Sequence, residues 1–508
     1  MKNQLRSGVI ISYINLVISS IIPFLYTPVM LQMLGQAEYG LYSLSLSAVS
    51  YLSLLSFGFG STIIRYIAKY RAEGNKEAEE KFYGFFIILY CGLAVLVLLC
   101  GAIIANNVEP IFHRGLTDVE LSKMRVLVMI MAFSSALSFP VSVFSSMITA
   151  HEKYIYRKLV DMLATVGAPI ANLVVLYMGY QSVGMAFAAT VMQFIMLPLN
   201  AGYCFKVLRL KPRFTILPCS LIKELIGFSV FIFIGSIVDM LFWATDKVIL
   251  GMLASSVAVA VYNVGGTFNN MIMNLSTSIS GVLTPKITGM VVQNASKDEL
   301  TELFVRVGRL QFISIALIGS GFSVFGQSFI NLWAGSEYVD AYWVAILTMF
   351  PLCVPLIQNT GLSIVVAQNK HQFRSIVYLI IAIANVISTY LVVPTMGIIG
   401  AALCSCVAYL VGQGLIMNIY YYKVTGIDIP FFWKSIGKMA VVPGIMLISG
   451  LVIKCFVEVR SWWEFLSGVI LYSCIYAVLM YVCVLNNYEK DIFKKPVLKF
   501  LRLINRSK

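Results

Sequence analysis

Stretches of about 20 mostly apolar residues, the length a helix needs to cross a bilayer, recur along this chain from near its first residues to near its last. Little sequence is left between them for a soluble domain. Read against their polar breaks, the runs fall at 8–33, 40–64, 82–105, 126–150, 159–178, 183–205, 224–252, 256–284, 310–333, 342–366, 375–394, 398–422, 435–457 and 463–486. They predict an all-α polytopic membrane protein with about fourteen transmembrane helices. The first run follows Lys2 and Arg6 but is too long for a signal-peptide core and lacks a small-residue cleavage site, so it is expected to stay as a span. The connection from Asn106 to Arg125, with Pro110 and Gly115, has room for a short interfacial helix.

Composition narrows the function. Hydrophobic residues make up 59% and charged residues 12% of the 508, against a charged share of about 25% in soluble proteins. The ten cysteines fall mostly inside apolar runs, at spacings such as Cys404 and Cys406 that fit neither a metal site nor a redox pair, and read as packing residues. There are three histidines and no phosphate-binding loop, zinc-helix pattern or nucleophile elbow, so no soluble enzyme's active site is visible and no cofactor is expected.

Basic residues accumulate on the cytoplasmic side of membrane proteins. With the N-terminus inside, 31 of the 37 Lys and Arg fall in inner segments, five in outer loops, and Lys247 inside a span. An even number of spans, with both termini cytoplasmic, follows. The formal charge of +14 is then an inner-leaflet feature, which argues against nucleic acid as a partner. The tail from Asn487 to Lys508 interleaves seven basic residues with Ile492, Phe493, Val497, Leu498, Leu501 and Ile504. It reads either as an amphipathic segment on anionic inner-leaflet lipid or as a solvated basic tail, since Pro496 interrupts any single helix. The run Glu77, Glu79, Glu80 and Lys81 reads as a solvated helix face.

The chain repeats itself. Ala150, Lys153, Tyr156, Arg157, Leu159 and Val160 lead into Ile170, Ala171, Asn172, Gly179 and Gly184. Ala367, Lys370, Phe373, Arg374, Ile376 and Val377 lead into Ile383, Ala384, Asn385, Gly397 and Gly400, at offsets of 213 to 218. Gly35 and Tyr42 answer to Gly251 and Tyr262 in the same way, and Asn75 and Lys76 to Asn294 and Lys297. Six spans separate equivalent points, and six is even, so the copies share an orientation and are expected to be related by an axis along the membrane normal. The expected organisation is two pseudo-symmetric six-helix lobes, 1–208 and 209–424, facing each other across a central cavity, then two additional spans at 425–486 and the basic tail at 487–508.

Polar side chains inside spans point to where such a cavity lies. In the eighth span Asn263, Thr267, Asn270, Asn274 and Ser278 share one helical face, and in its repeat partner Ser43, Ser47 and Ser50 keep the same spacing at an offset of 220. The two rows are expected to line a path, although small hydroxyls and amides also serve helix packing in lipid. The seventh span carries Asp239 and Asp246 on one face with Lys247 beside the second. They fit either a structural salt bridge or a site where carboxylates bind a coupling Na+ or H+ and Lys247 meets an anionic head group. Arg65, near the inner end of the second span, suits a diphosphate or simply anchors the helix end.

The run Leu34, Gly35, Glu38, Tyr39, Gly40, Leu41 and Tyr42, then Gly58, Gly60 and Arg65, resembles the start of bacterial polysaccharide-repeat flippases, the O-antigen flippase group of the multidrug/oligosaccharidyl-lipid/polysaccharide superfamily. Asp246, Lys247, Leu250, Gly251 and Tyr262 are similar to that family's second-lobe signature. The resemblance implies a bacterial cytoplasmic-membrane flippase for undecaprenyl-diphosphate-linked oligosaccharide, working by alternating access, commonly with ion coupling, alongside polysaccharide assembly proteins. Its cavity would depart from a strongly cationic pattern, because Asp239 and Asp246 accompany Lys247. The rival readings are a drug or metabolite exporter of the same superfamily and a lipid II flippase. A membrane glycosyltransferase or polymerase would need carboxylates or histidines held in a substantial outer loop, and the largest outer loop has Glu109, His113, Asp118 and Glu120 without a recognisable motif.

Overall fold

The computed structural model describes residues 2–215, 218–368, 370–491 and 494. Seventeen helices account for nearly all of them. The first nine are α1 (Lys2–Ser50), α2 (Phe59–Ala72), α3 (Lys76–Asn106), α4 (Val108–Phe112), α5 (Asp118–Ala150), α6 (Tyr154–Tyr177), α7 (Gln181–Gly202), α8 (Cys219–Trp243) and α9 (Thr245–Leu253). The rest are α10 (Ser256–Val292), α11 (Lys297–Trp333), α12 (Ala341–Ile357), α13 (Asn359–Ala367), α14 (His371–Tyr409), α15 (Met417–Tyr420), α16 (Ile429–Lys454) and α17 (Trp462–Cys483). Among the described residues nine helical stretches are long and apolar enough to cross a membrane, or eleven if each of two bent pairs is one span. The protein is therefore an all-α multi-pass membrane protein, and these stretches do not by themselves confirm the count of fourteen. Two of the nine stretches, Ile21–Ala72 and Gln372–Thr425, run to 52 and 54 residues. At a rise of about 1.5 Å per residue each is about 80 Å long, more than twice a hydrocarbon core. Each is interrupted by a glycine with non-helical backbone, Gly35 (φ 73) and Gly397 (φ 55), and Gly397 falls between the expected spans 375–394 and 398–422.

Contacts divide the chain into two compact units, Met1–Asn263 with Tyr378–Ala401, and Val264–Val377 with Ala402–Lys508. In the first unit the expected span 40–64 is not one helix. Beyond Ser50 the chain tightens into a 3-10 turn, Tyr51–Ser56, and Phe57 and Gly58 both take left-handed backbone before α2 starts. The room expected between Asn106 and Arg125 holds the short α4, and α5 begins earlier than its apolar run, at a capping box between Thr117 and Glu120. An aromatic file, Tyr66 stacked on Phe82 at 5.7 Å and Phe82 against Phe86 at 4.7 Å, fixes α2 on α3. A Cβ on Gly101 would stand 2.3 Å from the Cβ of Ala132, so the missing side chain lets α3 and α5 approach closely.

In the second unit α11 carries the additional pair α16 and α17. Val324, Met439, Val442, Met446, Tyr472, Tyr476 and Met480 form one buried cluster there, and the Tyr476 hydroxyl donates to the Ile313 carbonyl at 2.9 Å. The α12–α13 bend of 47° falls at Gln358, whose buried amide donates to Asn418 Oδ1 at 2.7 Å. On the outside of the helices large apolar side chains such as Leu99, Ile103, Leu391 and Ile448 are more than half exposed, as a lipid-facing surface requires.

The duplication reappears as local structure. Tyr156 stacks on Tyr203 at 3.7 Å in the first copy, and Phe373 stacks on Tyr420 at 4.5 Å in the second, both partners shifted by 217. Gly179 and Gly397, an offset of 218, both take positive φ.

Candidate functional site

Within the first unit, a polar seam runs where the segment from Glu38 to Tyr66 meets the segment from Glu224 to Asn263. Tyr39 and Ser43, one helical turn apart on α1, both accept from Asn263 Nδ2, at 2.6 and 3.1 Å. The Tyr262 hydroxyl donates to Asp246 Oδ2 at 2.5 Å. Tyr51 meets Thr245, Thr62 meets Ser229 at 2.9 Å, and Tyr66 donates to Glu224 at 2.7 Å. In a bilayer these groups have no water to fall back on, so each bond satisfies a donor or acceptor that burial would otherwise penalise. Repeat-equivalent residues meet here. Ser43 touches Asn263, and a Cβ on Gly40 would stand 3.3 Å from the Cβ of Ala260, both at an offset of 220. Self-equivalent contacts are what a two-fold pair of helices makes beside its own axis.

The motif residues Glu38, Tyr39 and Gly40 each carry one of the contacts that hold this seam. Glu38 pairs with Lys123 and accepts from Ser182 at 2.6 Å, which ties α1 to α5 and α7. Gly40 has no alternative, since a Cβ there would lie 1.8 Å from the Ser256 carbonyl oxygen. Ser256 in turn donates to Glu120.

The remaining expected residues separate. Ser43 and Ser47 are buried, and the Ser47 and Ser50 hydroxyls are spent on the carbonyls of Ser43 and Ser47. On α10 Asn263, Thr267 and Ser278 are half-buried while Asn270 and Asn274 are exposed. Asp239 and Asp246 do not share a surface as their spacing suggested. Asp239 on α8 is exposed, and Asp246 on α9 is buried against Tyr262. Lys247 is half-buried, with no ion pair among the described residues, and Arg65 stands exposed on α2 beside Tyr66. The acidic run is not simply a solvated face either: Glu80 pairs with Arg213 at 2.8 Å, and Glu79 lies against His151. The tail from 495 onward lies outside the described residues. At its start Asn487, Tyr488 and Asp491 are exposed, whereas Glu489 is fully buried and pairs with Arg309 at 2.6 Å.

Two features escaped the sequence reading. A second polar row on α10 faces inward in the second unit: Asn269 bonds Thr348 at 2.9 Å, Ser276 donates to the Leu356 carbonyl and accepts from Gln311, and Ser280 accepts from Asn359. It lies about one residue round the helix from the expected row, and only the neighbouring helices distinguish the two. The first unit also holds a cavity of about 330 Å³ lined by Ser53, Ser56, Ser61, Ser138 and Ser142. The Ser53, Ser138 and Ser142 hydroxyls donate to carbonyls three residues back, so they offer the cavity acceptor lone pairs. Serines at 134, 135, 138, 142, 145 and 146 were the available signal.

The described residues thus combine an all-helical multi-pass fold and an apolar exterior with a polar seam inside the first unit. The fold is that of the multidrug/oligosaccharidyl-lipid/polysaccharide superfamily. A structure of the lipid II flippase MurJ in an inward closed conformation matches 97% of this chain and 99% of its own, with a TM-score of 0.74 and 15% identity. An inward-facing multidrug resistance MATE family transporter of that superfamily matches 81% of this chain and 99% of its own, with a TM-score of 0.63 and 15% identity. The model of the family described as polysaccharide biosynthesis protein matches residues 5–291, more than half of the chain, and the protein belongs to that family. Among its curated relatives, the membrane protein EpsK of Bacillus subtilis is 21% identical over 493 residues, covering 94% of this chain and 95% of EpsK.

Proposed function

We propose that this protein is a flippase, a transporter and not an enzyme, that moves undecaprenyl-diphosphate-linked oligosaccharide repeat units from the inner to the outer leaflet of the bacterial cytoplasmic membrane for surface polysaccharide such as O-antigen. Family membership and the transporter fold support the coarse reading. The polar seam inside an otherwise apolar molecule carries it further, because sugars need hydrogen-bonding partners along a hydrocarbon thickness and a packing scaffold does not. In this reading the lobes 1–208 and 209–424 alternate access to a wet passage, Asn270 and Asn274 line it, and Lys247 and Arg65 meet the diphosphate. A coupling Na+ or H+ acts at Asp239 or Asp246, at the latter displacing the Tyr262 hydroxyl. Both termini are cytoplasmic, and the basic tail lies on anionic inner-leaflet lipid, near polysaccharide assembly proteins.

The likeness to a lipid II flippase over nearly the whole chain favours one second reading, a lipid II cargo. Deleting the gene and extracting lipid-linked precursors separates them: the first reading expects undecaprenyl-diphosphate oligosaccharide to accumulate internally, the second expects lipid II. Asn270→Leu and Lys247→Ala are each expected to lower polysaccharide export about tenfold, the loss of a charge-assisted or amide contact, with membrane insertion intact. Normal export in both variants rejects the lining assignment.

A further inference from the structure

At the end of the first unit that the basic-residue count assigns to the cytoplasm, three titratable side chains meet. His151 closes α5, and Glu79 and Tyr83 lie on the first two turns of α3. His151 Nε2 is 3.3 Å from Glu79 Oε1 and 3.2 Å from the Tyr83 hydroxyl, and Tyr83 donates to the same Glu79 oxygen. His151 Nδ1 is 2.9 Å from the Met147 carbonyl. The Glu79 and His151 side chains each keep 13% of their exposure.

These distances fix where protons go. A carbonyl oxygen only accepts, so Nδ1 carries a hydrogen for Met147. Tyr83 has one hydrogen, and Glu79 takes it. An unprotonated Nε2 would then put a lone pair against a carboxylate oxygen and a phenol oxygen, three acceptors with no donor left among them. A proton on Nε2 resolves this, donating to Glu79 and Tyr83. The surroundings agree: the C-terminus of α5 favours a cation at His151 and the N-terminus of α3 an anion at Glu79.

We propose that Glu79, Tyr83 and His151 form a proton-binding clasp that holds the α5–α6 turn to α3, and that loss of its proton frees this turn and makes transport depend on cytoplasmic pH. The other charged or titratable groups packed around it have tasks of their own. Arg71 of α2 donates to the Ala150 carbonyl at 2.6 Å, Cys204 beyond α7 donates to the Phe144 carbonyl at 3.5 Å, and Glu80 pairs with Arg213. The turn is poised to move, since Glu152, immediately after His151, is held at φ 58. In the second copy Gln368 stands where His151 does, at the offset of 217, and Lys370 donates to the Val424 carbonyl at 2.8 Å.

This inference rests on the transport reading only for its consequence. Imidazole nitrogen-15 NMR of the full-length protein in detergent tests the site directly, with His151→Asn identifying one of three histidines by subtraction. The expected spectrum shows hydrogen on both His151 nitrogens where the clasp is closed and one bare nitrogen where the turn is free. A neutral His151 throughout about pH 5 to 8 overturns the clasp, whatever the cargo. In proteoliposomes carrying lipid-linked oligosaccharide, wild-type flipping is expected to change several-fold across about pH 5 to 8, and His151→Asn and Glu79→Gln to flatten that change to within about twofold. A titrating His151 with the wild-type pH profile preserved in both well-folded variants overturns the link to transport.

Discussion

The serines of α1 and the amides of α10 share two repeat-equivalent positions, Ser43 with Asn263 and Ser50 with Asn270, yet the two sets spend their hydrogen bonds differently. Ser45, Ser47, Ser50 and Ser53 each donate to a carbonyl of their own segment three or four residues back. Asn263 and Asn269 reach across to other helices. A hydroxyl on a short stem finds its own backbone first, and such back-bonding bends helices. An amide has the length and the paired donor and acceptor to bridge. The first copy gives way to a 3-10 turn after Ser50, whereas the second runs unbroken from Ser256 to Val292 although Thr277, Ser278, Ser280, Thr284 and Thr288 also bond back to their own carbonyls. Back-bonding alone therefore does not set the break, and the amide bridges to other helices are what distinguish the second copy.

Three substitutions probe this contrast. Gly40→Ala forces a Cβ onto the Ser256 carbonyl and is expected to cost about 3 kcal/mol, at the top of the range for overpacking; wild-type thermal stability in detergent would show that the helices separate freely. Asn269→Leu strips the α10–α12 bridge and should cost about 1 to 2 kcal/mol, read in the same melt. Ser47→Ala removes only a back-bond and should change stability by less than about 0.5 kcal/mol. A reversed order of the last two would mean that the hydroxyls, not the amides, hold the helices together.

Hydropathy runs revealed the helices, and their repeated landmarks revealed the copies, because burial in lipid imposes length and composition on every span. Burial was less legible. Nothing in the run 224–252 marks Asp239 as exposed and Asp246 as buried, since a seven-residue spacing fixes a helical face but not what packs against each turn of it. The pairing of Ser43 with Asn263 followed from periodicity. The inward row of Asn269, Ser276 and Ser280 did not, because a polar residue one position round a helix is assigned to a face only by what packs there. Glu79 was misread for a related reason: its partner His151 lies on another helix, and a charge run looks solvated until the far end of the contact is known.

The pair between Arg309 and Glu489 joins residues 180 positions apart, with the carboxylate wholly enclosed. A ribosome releases Arg309 into the growing chain long before Glu489 exists, so the guanidinium on α11 waits for a segment 180 residues further on to supply its counter-charge. Completion of the second unit therefore waits on the synthesis of Glu489, and a chain cut short before Asn486 would leave the Arg309 guanidinium without that carboxylate as the signature of its unfinished state.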